Sequence, residues 1–132
     1  MAFDLKKLLT DVFRTESGEV VVVACDLPHG ALPDNAAWQD RRAMAAEWRE
    51  TFAELGKAGG FATQPLLTFA ATGANGADLP VSAELGGRDV AMDGALLDST
   101  LAVFLTEYSA TAALDGYCRR KEDFRAASLP GL

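Results

Sequence analysis

The sequence predicts an α/β fold, in which β-strands and α-helices alternate along the chain. The strongest observation is the run EVVVVACD at Glu19–Asp26, because its uninterrupted apolar centre is typical of an interior strand covered on both faces. A long helical pattern follows at residues 36–57, and shorter strand-like and helical runs alternate as far as residue 128. Such alternation favours a mainly parallel sheet. We therefore expect a three-layer Rossmann-like or flavodoxin-like sandwich with about four mainly parallel strands.

The composition is that of one globular domain. The chain has 132 residues, of which 49% are apolar and 23% are charged, and this is the ordinary balance of a folded protein of one-domain length. We therefore treat residues 1–132 as a single α/β domain.

The net charge of −7 argues against nucleic acid and anionic membrane surfaces as partners, because both carry negative charge themselves. The densest basic cluster, Arg119 to Lys121, is followed at once by Glu122 and Asp123, which is typical of a solvated helix face. The two cysteines make no disulfide framework, and the first residues lack the pattern of a signal peptide. No apolar run reaches the roughly 18 residues of a membrane span. We expect a cytoplasmic protein.

Periodicity places the first two helices. A short opening helix is expected from apolar residues at three- and four-residue spacing, namely Leu5, Leu8, Leu9, Val12 and Phe13. The second helix should run from Ala36 to about Lys57, with Asp34 or Asn35 placed to cap it. Its predicted buried stripe is Trp38, Ala45, Trp48, Phe52 and Leu55. Its predicted outward residues are Asp40, Arg41, Arg42 and Arg49.

Beyond the second helix the pattern is shorter and more broken. A strand is expected at residues 62–69, although Pro65 cannot donate to a ladder and so moves this strand toward the sheet edge or delays its start. The small, glycine-rich residues 70–80 predict a loop. The alternation is completed by a helix at 89–97, a strand at 100–106, a helix at 112–123 and a strand at 124–128. Residues 129–132 then give a turn signal with nothing after it, so we expect a domain truncated after its last strand.

Candidate ligand-binding residues follow the strands, because open parallel sheets bind ligands beyond the carboxyl ends of their strands. After the first strand come Asp26 and the only histidine, His29. Such a pair could orient an imidazole for proton transfer or supply two metal ligands, but both uses need a third partner that the sequence does not identify. A simpler interpretation is that Asp26 and Asp34 hydrogen-bond the backbone of a turn containing Pro28 and Gly30.

A second polar group ends the strand at residues 100–106. In its segment TEYSAT, Thr106, Ser109 and Thr111 are candidate ligand-binding residues. A nucleophilic hydroxyl would need a neighbouring base, and no GxSxG elbow surrounds Ser109. Capping of the next helix by Ser109 or Thr111, or support of the backbone by these hydroxyls, requires less. The glycine-rich loop has neither GxxxxGK[ST] nor GxGxxG, which argues against a nucleotide site. The sequence thus predicts no catalytic residue and no metal ligand.

Several of these segments contain short motifs that follow one another in a fixed order. A strand of the type GDxVLVVxD occupies Gly18 to Asp26 and precedes a long helix. Later come the Thr/Ser-rich turn TEYSAT, a helix bearing Arg119 and Arg120, and RAASLPG at residues 125–131, which is similar to R-x-A-S-M-P-G. This arrangement resembles the N-terminal region of the aminopeptidase T (thermophilic metallopeptidase, leucyl aminopeptidase-like) family.

The resemblance implies a non-catalytic role for this chain. Enzymes of the family are understood to bind a pair of divalent metal ions through glutamates, histidines and an aspartate in a later domain, and no position here matches those ligands. The chain would then be the smaller N-terminal α/β domain, without a cofactor of its own, and the metal pair would lie in a missing C-terminal domain. Its expected work is to pack against that domain, to shape access to its cleft, or to assist dimerisation.

Two other functions stay open at this point. A free-standing module could bind a small polar metabolite near Asp26, His29, Thr106 and Ser109, which predicts a well-covered sheet with a polar pocket. A small hydrolase or transferase could use His29 with Asp26, which requires a nucleophile or a metal within hydrogen-bond reach of His29. The aminopeptidase interpretation instead predicts an exposed apolar face or an unfinished sheet edge, which a homodimer would cover.

Overall fold

The computed structural model describes residues 4–130, and those residues form four helices and seven strands. The helices are α1 (Leu5–Phe13), α2 (Ala36–Gly59), α3 (Met92–Leu97) and α4 (Thr111–Arg120). The strands are β1 (Val20–Leu27), β2 (Ala62–Thr63), β3 (Leu67–Ala70), β4 (Ser82–Leu85), β5 (Arg88–Ala91), β6 (Leu101–Phe104) and β7 (Arg125–Ser128). The predicted α/β class is confirmed. The last two residues of the predicted terminal turn, Gly131 and Leu132, lie outside the described residues.

β1 lies in the middle of one mixed sheet. The strand order is β5-β4-β3-β1-β6-β7, and β2 pairs with the beginning of β1. β1 is parallel to β2, β3 and β6, and β6 is parallel to β7. β4 is antiparallel to both β3 and β5. Within residues 4–130 the sheet therefore has seven strands rather than about four, because the antiparallel hairpin adds β4 and β5 and because one predicted strand is divided into β2 and β3.

The residues of β1 alternate between two apolar clusters on opposite faces of the sheet. Val21, Val23 and Cys25 pack with residues of α1 and α2. Val22 and Ala24 pack with residues of α3 and α4 on the other face. Both sides of the strand are thus covered, and this is why an uninterrupted apolar run is stable here. In residues 4–130, no helix is long and apolar enough to cross a membrane.

α2 begins and ends as its sequence predicts. Asn35 caps it, since the side-chain oxygen accepts the N–H of Trp38 at 2.9 Å. Gly60 ends it in the left-handed region, with φ of +76°. The predicted stripe is buried or half-buried throughout, namely Trp38, Ala45, Trp48, Phe52 and Leu55. Arg41 is only 3% exposed, so the prediction that it faces outward is wrong. In α1, Val12 is likewise 59% exposed rather than buried.

The hairpin β4–β5 replaces the first part of the helix predicted at residues 89–97. Gly86 and Gly87 have φ of +62° and +86°, which are the positive values that a type I′ turn requires at both of its central positions. On either side of this turn, Leu85 pairs with Arg88. The helix therefore begins only at Met92, and α3 is shorter than predicted.

Pro65 divides the predicted strand 62–69 instead of moving it to the sheet edge, and the main strand starts late, at Leu67, as the alternative prediction had it. β2 pairs with Val20 and Val21 at the start of β1, whereas β3 pairs with residues 24–27 and lies inside the sheet. The N–H of Gln64 still donates to Val21 at 2.7 Å, but Pro65 has no N–H with which to continue the ladder. Of the predicted loop 70–80, Ala70 ends β3, and the rest contains no helix or strand.

Candidate functional site

The ends of β1 and β6 border the crevice at which open α/β sheets bind their ligands. From β1 the chain passes to β3 on one side, and it later passes through β6 to β7 on the other side, so the strand order reverses between β1 and β6. Ligands bind at such a switch point, beyond the carboxyl ends of the strands. The segments that follow the two strands are residues 28–35 and 105–110.

Asp26 lies near the end of β1 and is only 1% exposed. Its carboxylate points toward the segment that follows β6. One carboxylate oxygen accepts the backbone N–H of Glu107 at 2.9 Å and the indole N–H of Trp38 at 3.1 Å. The other oxygen accepts the backbone N–H of Tyr108 at 3.3 Å. The carboxylate therefore ties the segment after β6 to β1 and to α2.

The ionisation of Asp26 reflects this buried position. Burial raises the pKa of its carboxyl group above the ordinary value of 3.8, and the hydrogen bonds from Glu107, Tyr108 and Trp38 oppose that shift. A raised carboxyl pKa also occurs in general acids and bases, so the pKa alone does not separate a catalytic role from a structural one. The contacts do separate them, because they come from the protein itself and leave the carboxylate almost no exposed surface.

The side chain of Glu107 is held from α2. Arg41 donates to one of its carboxylate oxygens at 2.6 Å, and the amide of Asn35 donates to the other at 3.4 Å. The Arg41 side chain is 3% exposed and that of Glu107 is 27% exposed. A buried guanidinium requires a carboxylate partner, because an uncompensated buried charge is strongly destabilising. Both carboxylate oxygens of Glu107 are therefore bonded within the protein.

The candidate hydroxyl of Thr106 is also bonded within the protein. Thr106 is fully buried, and its hydroxyl donates to the backbone oxygen of Tyr108 at 2.6 Å. The next candidate, Ser109, is fixed through its backbone, because its N–H donates to the side-chain oxygen of Asn75 at 2.8 Å and its carbonyl accepts from Gly76 at 3.1 Å. The segment after β6 is thus also fastened to the glycine-rich loop.

The start of α4 differs from the prediction that Ser109 or Thr111 caps it. The N-cap position belongs to Ala110, which makes no side-chain cap bond, and its backbone N–H donates to the hydroxyl of Ser128 at 3.0 Å. The hydroxyls of Ser109 and Thr111 lie 3.0 Å apart, and that of Ser109 accepts the N–H of Thr111 at 3.3 Å. These polar groups therefore support the backbone at the junction of β6, α4 and β7.

His29 belongs to a different contact. Its Nε2 lies 3.0 Å from the backbone oxygen of Ala71, and its backbone forms a small bridge with Leu32. Among residues 4–130, no hydrogen bond or ion pair joins His29 to Asp26, so the structure does not form the predicted Asp26–His29 pair. Asp26 also does not bind its own turn, as the simpler interpretation had it, because its carboxylate faces the segment after β6.

Two cavities lie near the strand ends. The larger, of about 300 Å³, lies beside the ends of β1 and β3 and includes Leu27, Thr68, Ser82, Glu84 and Asp89 in its wall. In the sheet register Thr68 is opposite Glu84, and Glu84 is opposite Asp89. None of the five candidate residues lines this cavity. Thr111 lines a smaller one of about 170 Å³ between α4 and β7.

Sequence reasoning missed the contribution of Trp38 and Arg41 to the closed crevice. A usable signal was present, because Arg41 falls between Trp38 and Ala45 at the three- and four-residue spacing of the buried stripe. A basic residue within such a stripe indicates a buried ion pair rather than a solvated face.

Metal-binding potential and known relatives add no further assignment. In the part of the chain from residue 4 to 130, no group of three or more His, Cys, Asp or Glu side chains could hold a metal ion. No protein-family model, curated protein or solved structure matches this chain. The function is therefore argued from the geometry.

Proposed function

We propose that this chain is the non-catalytic N-terminal α/β domain of a leucyl aminopeptidase-like metallopeptidase of the aminopeptidase T family. In this proposal it packs against a metal-bearing domain, shapes access to the cleft of that domain and supports dimerisation. One observation carries the proposal. In α/β domains that bind a ligand, the ligand lies beyond the carboxyl ends of the strands. In this chain the carboxylate of Asp26 lies there, bonded to backbone N–H groups, and the residue is 1% exposed.

The segments that resemble the family each make structural contacts within this sheet, and these contacts support the proposal. The strand motif Gly18–Asp26 ends in the buried aspartate, and TEYSAT at residues 106–111 supplies the two backbone N–H groups that it binds. RAASLPG starts at Arg125, which pairs with Glu19 at 2.9 Å, and it contains the Ser128 hydroxyl that accepts from the start of α4. Each motif thus has a structural role, with Asp26, TEYSAT and Ser128 at the carboxyl ends of the strands and the Arg125–Glu19 pair at the opposite end of the sheet.

The finer fold assignment belongs to the same proposal. A three-layer Rossmann-like or flavodoxin-like sandwich is supported by the parallel strands β3, β1, β6 and β7 and by the helices packed on both faces. In that arrangement the hairpin β4–β5 is an addition at one side of the sheet. We also propose a cytoplasmic location, since both cysteines are free thiols, as is usual in a reducing compartment.

The catalytic part of the proposal assigns the divalent metal pair to the partner domain and no cofactor to this chain. It is tested by assaying two proteins for release of N-terminal amino acids: the 132-residue chain, and the product of the native gene made with protease inhibitors present. Each is assayed with added divalent metal and with a chelator. We expect metal-dependent activity in the native product alone. Turnover by the 132-residue chain, or a native product that is inactive with metal, contradicts the proposal.

The cavity of about 300 Å³ beside the ends of β1 and β3 favours a second candidate, a free-standing module that binds a small polar metabolite. Its position at the ends of β1 and β3 is where such ligands bind, and Thr68, Ser82 and Glu84 offer polar groups there. The test is a titration of the chain with free amino acids and simple amines, followed by the amide signals of Thr68 and Glu84. Saturable shifts that are lost in Glu84→Gln would favour the module over the packing domain.

A further inference from the structure

We infer that β7 binds the β7 strand of a second copy of this chain in antiparallel orientation, so that two sheets join across a two-fold axis. This inference rests on the proposed packing function and names the surface that would carry out the dimerisation. Its basis is the backbone of β7, the character of its side chains and the cavity beside it.

The backbone of β7 presents regularly spaced hydrogen-bonding groups on its outer side. Toward β6, the N–H of Arg125 donates to Thr100 at 2.9 Å and that of Leu129 donates to Phe104 at 2.8 Å. Because the backbone groups of a strand alternate in direction, the N–H and C=O of Ala126 and Ser128 point away from β6. β7 is the last strand in the sheet order, so within residues 4–130 no further strand receives those groups.

The two edges of the sheet differ in their protection against pairing. β5, the opposite edge, begins with the exposed charged residues Arg88 and Asp89, and charges of this kind discourage the addition of a strand. β7 has one charged residue, Arg125, which pairs with Glu19 at 2.9 Å and also donates to the backbone oxygen of Phe13. Its other residues are two alanines and a serine. β7 is therefore the edge that lacks the usual protection.

The side chains of β7 suit pairing with its own copy. In an antiparallel pair around a two-fold axis at Ala127, Ala126 of one copy lies opposite Ser128 of the other, and these residues exchange N–H···O=C bonds. Ala127 then lies opposite its own counterpart, where the two strands come closest. All three side chains are small, so they allow the ordinary strand spacing of about 4.8 Å. The outward groups on both copies are thereby satisfied.

The faces beside β7 leave room for the second copy and would gain from it. On one face, the cavity of about 170 Å³ opens between β7 and α4 and is lined in part by Leu114, Cys118 and Ala126. Asp115, also in its wall, is paired with Arg119 at 2.7 Å. On the other face, Ala127 and Leu129 pack at the margin of the cluster formed with α1. A paired strand would extend both apolar clusters beyond β7.

The first test follows amide hydrogen exchange in the unmodified 132-residue chain as its concentration rises. We expect the amides of Ala126 and Ser128 to exchange freely in dilute protein and to become protected in concentrated protein. Those of Arg125, Ala127 and Leu129 should be protected throughout, because they donate to β6. In parallel, the mass in sedimentation equilibrium should rise from 14.0 kDa toward twice that value. If the amides of Ala126 and Ser128 exchange freely at every concentration, or if the mass stays at 14.0 kDa, the inference is overturned.

The second test replaces one outward N–H on each edge. Ala126→Pro removes a donor of the proposed interface but no hydrogen bond to β6, and proline is tolerated at such edge positions. Its matched control is Asp89→Pro, because Asp89 is the residue after the turn-flanking Arg88 on β5 and its N–H therefore points outward at the other edge. We expect dimerisation to be lost in Ala126→Pro and kept in Asp89→Pro. A dimer that survives Ala126→Pro overturns the inference.

The two levels of the proposal can fail separately. If Ala126→Pro does not fold, the exchange pattern of the unmodified chain decides the matter. If the chain is monomeric but the native gene product is a metal-dependent aminopeptidase, the strand-pairing inference is wrong and the packing function stands. If the chain dimerises through β7 and the native product has no such activity, the dimer is real and the peptidase assignment is wrong.

Discussion

The Asp26 carboxylate accepts the backbone N–H of Glu107 at 2.9 Å across the gap between β1 and β6. The side chain of Glu107 is in turn paired with Arg41 of α2 at 2.6 Å. These two contacts place charged groups where a ligand would otherwise lie, and each charge is satisfied by a neighbour in the protein. The same residue types that could indicate an active site thus form a structural link between two strands and a helix.

Replacing Asp26 with asparagine should destabilise the fold by about 2 kcal/mol. In the wild type both carboxylate oxygens accept backbone N–H groups, whereas in the variant the amide NH₂ would replace one of these acceptors with a donor. Burial raises the folded-state pKa of Asp26, so the contribution of this carboxyl group to stability is fully present below the ordinary value of 3.8 and is lost as pH rises through the raised pKa. Asparagine has no such dependence. Urea unfolding should therefore show a larger gap between the two proteins near pH 4 than at pH 7. A gap that widens toward pH 7 would contradict this.

Glu107→Gln should also destabilise the protein, because it removes the carboxylate that pairs with the buried Arg41 at 2.6 Å. Complete burial of both partners would make the loss about 3–5 kcal/mol, but Glu107 is 27% exposed, so we expect about 2 kcal/mol. The matched control is Glu54→Gln, which breaks an exposed pair with Lys57 and should change the unfolding free energy little. Equal effects of the two substitutions would show that the Arg41 pair is not a buried one.

The two thiols should differ sharply in reactivity. Burial raises the pKa of Cys25 to about 12, and the residue is 1% exposed, so almost no thiolate is accessible at pH 8. Cys118 is partly exposed. A thiol reagent at pH 8 should therefore label Cys118 first, and Cys118→Ser should remove the fast reaction. Rapid labelling of Cys25 in the folded Cys118→Ser protein would contradict the structure of β1.

The glycines of the β4–β5 turn should be unequal under substitution. A Cβ at Gly86 would lie 2.8 Å from the Pro65 side chain, whereas a Cβ at Gly87 would meet nothing within 4 Å. Both positions have positive φ, so Gly87→Ala should cost about 1 kcal/mol from backbone strain alone. Gly86→Ala should cost more because it adds the clash. Denaturant unfolding of both variants checks the order, and a larger loss for Gly87→Ala would argue against this turn.

The parts of the fold that follow from local periodicity could be predicted from the sequence. The apolar run of β1 and the stripe and caps of α2 are such parts, because burial on both faces and the helical repeat leave direct patterns in the chain. The class of the fold followed from the alternation of these elements.

Other parts depend on pairing between distant segments. β5 is a strand because Gly86 and Gly87 turn the chain back on β4, and its residues 88–91 have no strong pattern of their own. Asp26 binds N–H groups that are 81 and 82 residues later in the chain, so its partners could not be found from its local turn. The candidate residues Asp26, Thr106, Ser109 and Thr111 were correctly placed near strand ends, but their hydrogen bonds are internal. His29 bonds to the end of β3 instead.

The most direct test of the central claim is the intact mass of the freshly expressed native gene product, made with protease inhibitors present. The account predicts a mass larger than 14.0 kDa, because a non-catalytic domain of a metallopeptidase needs the metal-bearing domain on the same chain. A mass of 14.0 kDa would contradict the aminopeptidase assignment and would leave a free-standing binding or assembly module as the better description.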